Sequence, residues 1–125
     1  MRHGKVQEAQ ALIAQYPQGR MPRFDPELYG KLGLAFETLG RNEEALPLLR
    51  EAALHSRGTA ETAMAAARIL LEAKDEEAIR FLELAMDRDG DLIQEATWRA
   101  WQFFEQREDA EKAAYWHERL ARVAA

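Results

Sequence analysis

A short pattern recurs three times along this chain and restricts the folds open to it. Its copies are NEEAL at residues 42–46, DEEAI at residues 75–79 and DAEKA at residues 109–113. The alanines within it, Ala45, Ala78 and Ala113, are 33 and 35 residues apart. A period of about 20 to 50 residues is typical of proteins in which similar units stack in a row, each packing on its neighbours. The sequence therefore predicts an array of repeats rather than one spherical core.

Apolar residues are spaced at helical intervals over nearly the whole chain. They recur at i, i+3, i+4 and i+7, and no alternating run of β-branched or aromatic residues is long enough for a strand. Proline, glycine and aspartate interrupt this pattern at short intervals, which predicts an all-α protein of about seven helices. The predicted spans are residues 5–16, 26–39, 43–55, 60–73, 76–88, 92–105 and 109–122.

Helix starts carry residues that accept hydrogen bonds from the first backbone N–H groups. Asp25 precedes a proline at the first helical position, and both Asn42 and Asp75 precede a pair of glutamates. We expect these three residues to be N-caps. Asp91 with Gln94 has the spacing of a capping box, in which the two side chains satisfy each other's backbone donors.

Two further positions carry backbone expectations. Gly40 follows a predicted helix and suits the left-handed conformation that ends many helices. Pro47 falls in the second turn of its predicted helix, where it removes one backbone hydrogen bond at a cost of up to about 3 kcal/mol. We therefore expect a kink or a late helix start there.

Composition excludes several classes of protein. The chain has 125 residues, of which 47% are hydrophobic and 31% charged, with a net charge of -5 and no cysteine. A disordered chain, a nucleic-acid-binding surface and insertion into a membrane are not predicted, and thiol chemistry and disulfides are absent. The sequence begins without the pattern of an export signal. For the compartment we favour the cytoplasm, with the periplasm as the alternative if the chain belongs to a larger exported or membrane protein.

Catalytic and metal-binding patterns are not found. The histidines are His3, His55 and His117, and none is paired in the sequence with a nucleophile and an orienting carboxylate. His117-Glu118 begins like a metalloprotease helix, but Ala121 stands where the second ligand would be. Clustered carboxylates fall at helix starts, where negative charge favours the helix dipole. We predict no enzyme activity, no metal site and no cofactor.

Large and small residues alternate in a characteristic pattern over residues 26–56, namely Tyr29, Leu32, Gly33, Phe36, Gly40, Ala45, Leu49 and Ala52. In these residues and their spacing, the segment resembles a tetratricopeptide repeat (TPR). Gly33 and Ala45 would let two helices approach closely. A second unit keeps Ala65, Ala66, Ile69, Ala78, Leu82 and Ala85 but has Thr62 where an aromatic residue is usual. A third, divergent unit keeps Ala100, Phe104, Ala113 and Leu120 but has Trp101 and His117 at a small and a large position.

The resemblance implies a right-handed superhelix of antiparallel helix pairs, a TPR-like solenoid. Residues 1–24 would form the second helix of a partial repeat and a connection. Residues 25–58 and 59–90 would be repeats 1 and 2. Residues 91–125 would be the divergent repeat 3 with a C-terminal cap.

In this family the first helices of the pairs line a concave groove that holds a peptide or helix of a partner protein. The resemblance therefore implies a protein-interaction module, with a groove of small and apolar side chains and affinity concentrated in Leu34, Leu70 and Trp98. The lysine and asparagine clamp for a C-terminal carboxylate is absent from the corresponding positions. The predicted groove residues are Glu27, Gly30, Leu34, Glu37, Thr38, Ala60, Ala63, Ala67, Leu70, Trp98, Gln102 and Glu105.

Aromatic residues concentrate near the C-terminus and allow two interpretations. Either they pack the last helix pair and seal the array, or Trp98 or Trp116 is exposed and forms a partner or self-association site. The six residues are Trp98, Trp101, Phe103, Phe104, Tyr115 and Trp116.

Two other functions remain open from the sequence. The chain could act as a structural module that forms a homo-oligomer or docks within a larger protein, which is the main alternative. RNA binding by a related helical-repeat family fits the period but not the net charge of -5.

Overall fold

The prediction of an all-α chain is confirmed. A computed structural model describes residues 2–16 and 25–124, and this part of the chain forms seven α-helices and no strand. A 3₁₀ turn, Gly90–Leu92, precedes the sixth helix. The helices are α1 (Arg2–Ala14), α2 (Pro26–Thr38), α3 (Asn42–Leu54), α4 (Ala60–Glu72), α5 (Ala78–Arg88), α6 (Ile93–Gln106) and α7 (Ala110–Ala124).

The same turn connects α2 to α3, α4 to α5 and α6 to α7. Each turn has one residue in the left-handed region, Gly40 at φ 75°, Lys74 at φ 58° and Glu108 at φ 58°. These residues are 34 positions apart in both intervals, so the backbone repeats more regularly than the alanines of the sequence pattern. In each turn the next N–H donates to a carbonyl five residues earlier, in the pairs Arg41–Phe36, Asp75–Leu70 and Asp109–Phe104, over 2.9, 2.9 and 3.0 Å.

The turn geometry corrects one predicted cap. Asn42 is the first residue of α3, and the N-cap is Arg41, which makes no side-chain cap bond. Arg41 holds the place that Asp75 and Asp109 hold in the later turns, so pairing Asn42 with Asp75 put the sequences out of step by one residue. The Asn42 amide instead donates to Glu72 of α4 over 3.3 Å.

The two other predicted N-caps are Asp25 and Asp75, and this prediction is confirmed only for Asp25. Asp25 accepts from the N–H of Glu27 over 3.0 Å, as predicted. Asp75 also accepts from a nearby N–H, that of Glu77 over 2.9 Å, but α5 begins only at Ala78. Backbone bonds from each of residues 78–80 to a carbonyl three positions earlier fill this interval, so the start of the unit is 3₁₀-like and tighter than an α-helix.

The prediction of a capping box at Asp91 is wrong. Asp89 accepts from the N–H of Asp91 over 2.9 Å and caps the 3₁₀ turn, and α6 begins afterwards at Ile93 without a side-chain cap. The reason is positional, because Asp91 lies inside the 3₁₀ turn and Leu92, which has no side-chain acceptor, stands at the N-cap position of α6.

Of the kink or late start expected at Pro47, the late start does not occur. Helix α3 begins at Asn42 and runs through the proline. Pro47 and Glu43, whose carbonyl loses its donor, are both exposed. Water can therefore hydrogen-bond the free carbonyl, which lowers the cost of the missing bond.

A close approach between α2 and α3 depends on Gly33, as the sequence predicts. A Cβ atom at Gly33 would lie 2.6 Å from Leu49 Cγ and 3.2 Å from the Leu49 backbone nitrogen. Leu49 itself is completely buried. The side chain of Leu49 thus occupies the space that any other residue at position 33 would need.

The core continues through successive helices, and α4 is its most buried element. All residues from Thr62 to Ala67 are buried, together with Ile69 and Leu70. Apart from a contact between α2 and α4, each helix packs mainly on the elements adjacent to it in the chain. Arg88 strengthens the junction of α3 and α4, because its guanidinium donates to the His55 carbonyl over 3.1 Å.

Candidate functional site

Three of the predicted groove residues are in the core and are inaccessible to a ligand. Ala63 and Ala67 are completely buried, and Leu70 is 3% exposed. The small side chains of α4 bring the flanking helices so close that they cover it. The expectation of an open, alanine-lined groove with Leu70 as an anchor is therefore wrong, and the accessible surface is formed by other residues.

Helix α2 and the start of α4 enclose a cleft of about 410 Å³. Three predicted residues line it, namely Glu27, Gly30 and Leu34. Gly30 is buried against α4, since a Cβ atom there would lie 3.1 Å from Thr62 Oγ1. The other lining residues come from α2 and its N-cap, from the connection before α4 and from the first turn of α4, and they include Asp25, Pro26, Lys31, Arg57, Gly58, Thr59 and Glu61.

A second hollow of about 300 Å³ adjoins the first between α1, α2 and α4. The two hollows share Lys31, Leu34 and Glu61. Leu34 is half-buried, so part of its side chain is open to a ligand from both sides. We call these three residues and the two hollows that they join the Leu34 surface. The second hollow is also lined by Lys5, Glu8, Ala9, Leu12, Ala35 and Thr38.

The remaining predicted residues of α2 are engaged within the fold. Glu37 accepts two hydrogen bonds from Arg68 of α4, over 2.9 and 3.0 Å. The hydrogen bond to Glu37 raises the pKa of the Arg68 guanidinium, against the opposing effect of burial. Glu37 thus connects α2 to α4. Thr38 donates its hydroxyl hydrogen to the Leu34 carbonyl over 2.9 Å.

Of the three predicted residues of α6, only Trp98 lines a hollow, which has a volume of about 490 Å³ and lies at the α6–α7 pair. Trp98 is 42% exposed and lines it together with Leu120. Gln102 is half-buried and Glu105 is exposed. Ala60, the remaining predicted position, is half-buried at the start of α4.

Burial decides between the two interpretations of the aromatic cluster residue by residue. Phe103, Phe104 and Trp116 are 5%, 3% and 4% exposed, so they pack the last helix pair, and Trp116 is not a surface site. Trp98 and Tyr115 are exposed. The cluster is therefore mostly core, with two aromatic side chains left at the surface.

Ion pairs are the feature of the first helices that the sequence interpretation missed. Helices α2, α4 and α6 each carry a single basic residue, and each of these pairs with a glutamate. Two of the pairs have an i, i+4 spacing that is visible in the sequence, whereas Arg68 and Glu37 are 31 positions apart. The surface of these helices therefore carries paired charges beside its apolar side chains. The pairs are Lys31–Glu27, Arg68–Glu37 and Arg99–Glu95.

Two histidines have ordinary structural environments. The His117 ring lies 5.3 Å from that of Trp101, and His55 Nδ1 accepts from the Arg57 N–H over 3.0 Å. The side chain of His3 lies outside the described residues. Within residues 2–16 and 25–124, no group of three or more histidines and carboxylates is placed to hold a metal ion.

Comparisons of the chain with family models, curated proteins and solved structures found no match. Among the described helices, none has the length and apolar character needed to cross a membrane.

Proposed function

We propose that this chain is a TPR-like protein-interaction module without catalytic activity, which binds a segment of a partner protein on the Leu34 surface. The helix pairs would be antiparallel and would stack as a right-handed superhelix with α2, α4 and α6 on the concave side. The turn that recurs every 34 residues supports this arrangement. Such a module works by presenting a shaped surface, and it needs no reactive group.

The observation that carries the proposal is the junction of two hollows at Leu34. An extended peptide or a helix laid across both would contact an apolar anchor at the centre. Charges of both signs surround this anchor. Glu61 and Arg57 form no ion pair within 4 Å among the described residues, and both line the first hollow, where a ligand would meet them. The surface therefore fits a segment with a central apolar side chain flanked by charged residues.

A selection of random peptides tests the proposal and does not require the partner protein to be identified. A peptide library displayed on phage is selected on the immobilised chain, and enriched sequences are made as labelled peptides. Their affinity is measured by fluorescence anisotropy for the wild type and for Leu34→Glu. We expect the Kd to rise at least about tenfold, because a buried charge would replace the apolar anchor.

Leu54→Glu is the matched control, because Leu54 is 42% exposed on α3 and lies outside both hollows. It should leave the Kd unchanged. Equal effects of the two substitutions, or a failure to enrich any peptide, would contradict the proposal.

A further inference from the structure

The recurring turn allows residues of the three helix pairs to be matched by position. Gly30 lies ten residues before Gly40, Met64 ten before Lys74, and Trp98 ten before Glu108. Gly30 and Met64 are buried. Trp98, at the same place in the last pair, is 42% exposed. The position that is buried in the first two pairs is thus occupied by an exposed indole side chain in the third.

The second helices of the pairs show the same difference. By the turn register, the matching residues lie twelve positions after the left-handed residue of each turn and are Ala52, Met86 and Leu120. Ala52 and Met86 are 1% and 6% exposed, whereas Leu120 is only half-buried. Leu120 lines the same hollow as Trp98. The α6–α7 pair therefore has an apolar face at the site where the earlier pairs are covered.

In the first pair, the helix that covers this site is α4. A Cβ atom at Gly30 would lie 3.9 Å from Ala52 Cβ and 3.1 Å from Thr62 Oγ1 of α4. Glu37, three residues before the turn, fixes α4 through its two hydrogen bonds to Arg68. The surface on which α4 packs thus consists of two small residues, Gly30 and Ala52, and the carboxylate of Glu37. We call this set of positions in a helix pair its seat.

The α6–α7 pair retains the carboxylate of this seat. Glu105 lies three residues before Glu108, the same distance that separates Glu37 from Gly40. It is exposed and has no ion-pair partner among the described residues. The middle pair has Leu71 at this place, so the carboxylate is specific to the first and last pairs. We call Trp98, Leu120 and Glu105 the terminal seat.

Side-chain size changes in opposite directions at two matched positions when the first helix pair is compared with the second. Gly30 faces Thr62. In the next pair Met64 replaces the glycine, and Ala96 stands in α6 at the position of Thr62, both buried. From the first pair to the second, the residue on the first helix is thus larger and the residue on the following helix smaller. By the same trend we expect a helix that covers the larger Trp98 to have alanine or glycine at that position.

We propose that the terminal seat binds an α-helix of a partner protein, with a small residue against Trp98 and an arginine six positions later against Glu105. The spacing is that of Thr62 and Arg68 in α4. A second copy of the chain does not supply such a helix from its described part. Within one described helix, an alanine or glycine is followed six positions later by a basic residue only at Ala113 and Arg119. Ala113 is buried, and Arg119 pairs with Glu83 over 2.7 Å.

A charge exchange tests the terminal seat directly. The probe is a labelled peptide of residues 59–74 with Thr62→Ala, acetylated and amidated so that it has no terminal charges. Its binding is measured by fluorescence anisotropy for the wild type and for Glu105→Arg, and with a second peptide that also carries Arg68→Glu. Each single charge reversal should raise the Kd about tenfold, and the two reversals together should restore binding.

Two control variants show whether the effect is specific to Glu105. Glu51→Arg reverses an exposed charge on α3 and should leave the Kd unchanged. Leu34→Glu should also leave it unchanged, since the terminal seat does not depend on the proposed function. Absence of saturable binding, or binding that ignores Glu105→Arg, would overturn the proposal. So would a wild-type dimer in light scattering that becomes monomeric in Trp98→Ala, since a second copy would then occupy the seat.

Discussion

Replacement of Gly33 by alanine tests the packing on which the helix pair α2–α3 depends. The new Cβ would lie 2.6 Å from Leu49 Cγ and 2.7 Å from Leu49 Cδ2. Leu49 is completely buried and cannot turn toward solvent. The contact of 3.2 Å with the Leu49 backbone nitrogen means that α3 itself must move. Overpacking of this kind costs about 1–3 kcal/mol.

The net effect is smaller than the clash, because alanine is intrinsically better than glycine in a helix by about 1 kcal/mol. We therefore expect Gly33→Ala to lower the free energy of unfolding by up to about 2 kcal/mol, measured by urea denaturation followed by circular dichroism. Gly4→Ala in α1 is the matched control. No atom lies within 4 Å of a Cβ at that position, so the substitution should be neutral or stabilising.

A double-mutant cycle with Leu49→Ala assigns the loss to this contact. Leu49→Ala alone should cost about 2–5 kcal/mol through the cavity that it creates. Adding Gly33→Ala to that variant should cost nothing further, because the methyl group then enters the cavity. The reasoning is refuted if Gly33→Ala is as harmless as Gly4→Ala, or if the two substitutions in the cycle are additive.

Three other substitutions test separate features of the fold by the same denaturation assay. Gly58→Ala should lower the free energy of unfolding by about 3 kcal/mol, since its Cβ would lie 2.4 Å from the Ala52 carbonyl oxygen. A smaller loss of stability than that of Gly33→Ala would contradict this. Lys74→Gly should stabilise by up to about 1 kcal/mol, because Lys74 adopts a left-handed φ of 58°; a loss of stability would show that its side chain matters more than its backbone. Pro47→Ala should stabilise by about 1 kcal/mol, because α3 gains the missing hydrogen bond in exchange for one that the exposed Glu43 carbonyl can make to water. An unchanged unfolding midpoint would contradict any cost of the proline.

Local features of the fold were predictable from the sequence because they depend on neighbouring residues. Helical spacing and the aspartates of the turns predicted seven helices, and Gly40 and Asp25 adopt their predicted roles. The errors at Asn42 and Asp91 have a common cause. Capping depends on where the preceding turn closes, and a shift of one residue or a short 3₁₀ turn moves the cap without changing the residue types.

The candidate site was less predictable because it depends on packing between units. A small residue such as Ala63 can either line an open groove or allow two helices to close over it, and the sequence does not distinguish these outcomes. The structure shows closure. Similarly, the pair of Arg68 and Glu37 requires the relative positions of α2 and α4, which no local pattern encodes. Leu34 is half-buried, and its remaining exposure depends in the same way on how α1 and α4 pack beside it.

The central claim is that the Leu34 surface binds a segment of a partner protein. The most direct test is a titration of the ¹⁵N-labelled chain with a peptide from the phage selection, followed by two-dimensional NMR. The account predicts saturable shifts that are largest for the amides of Lys31, Leu34, Thr59 and Glu61. Shifts confined to α3, α5 and α7, or shifts that do not saturate, would contradict it.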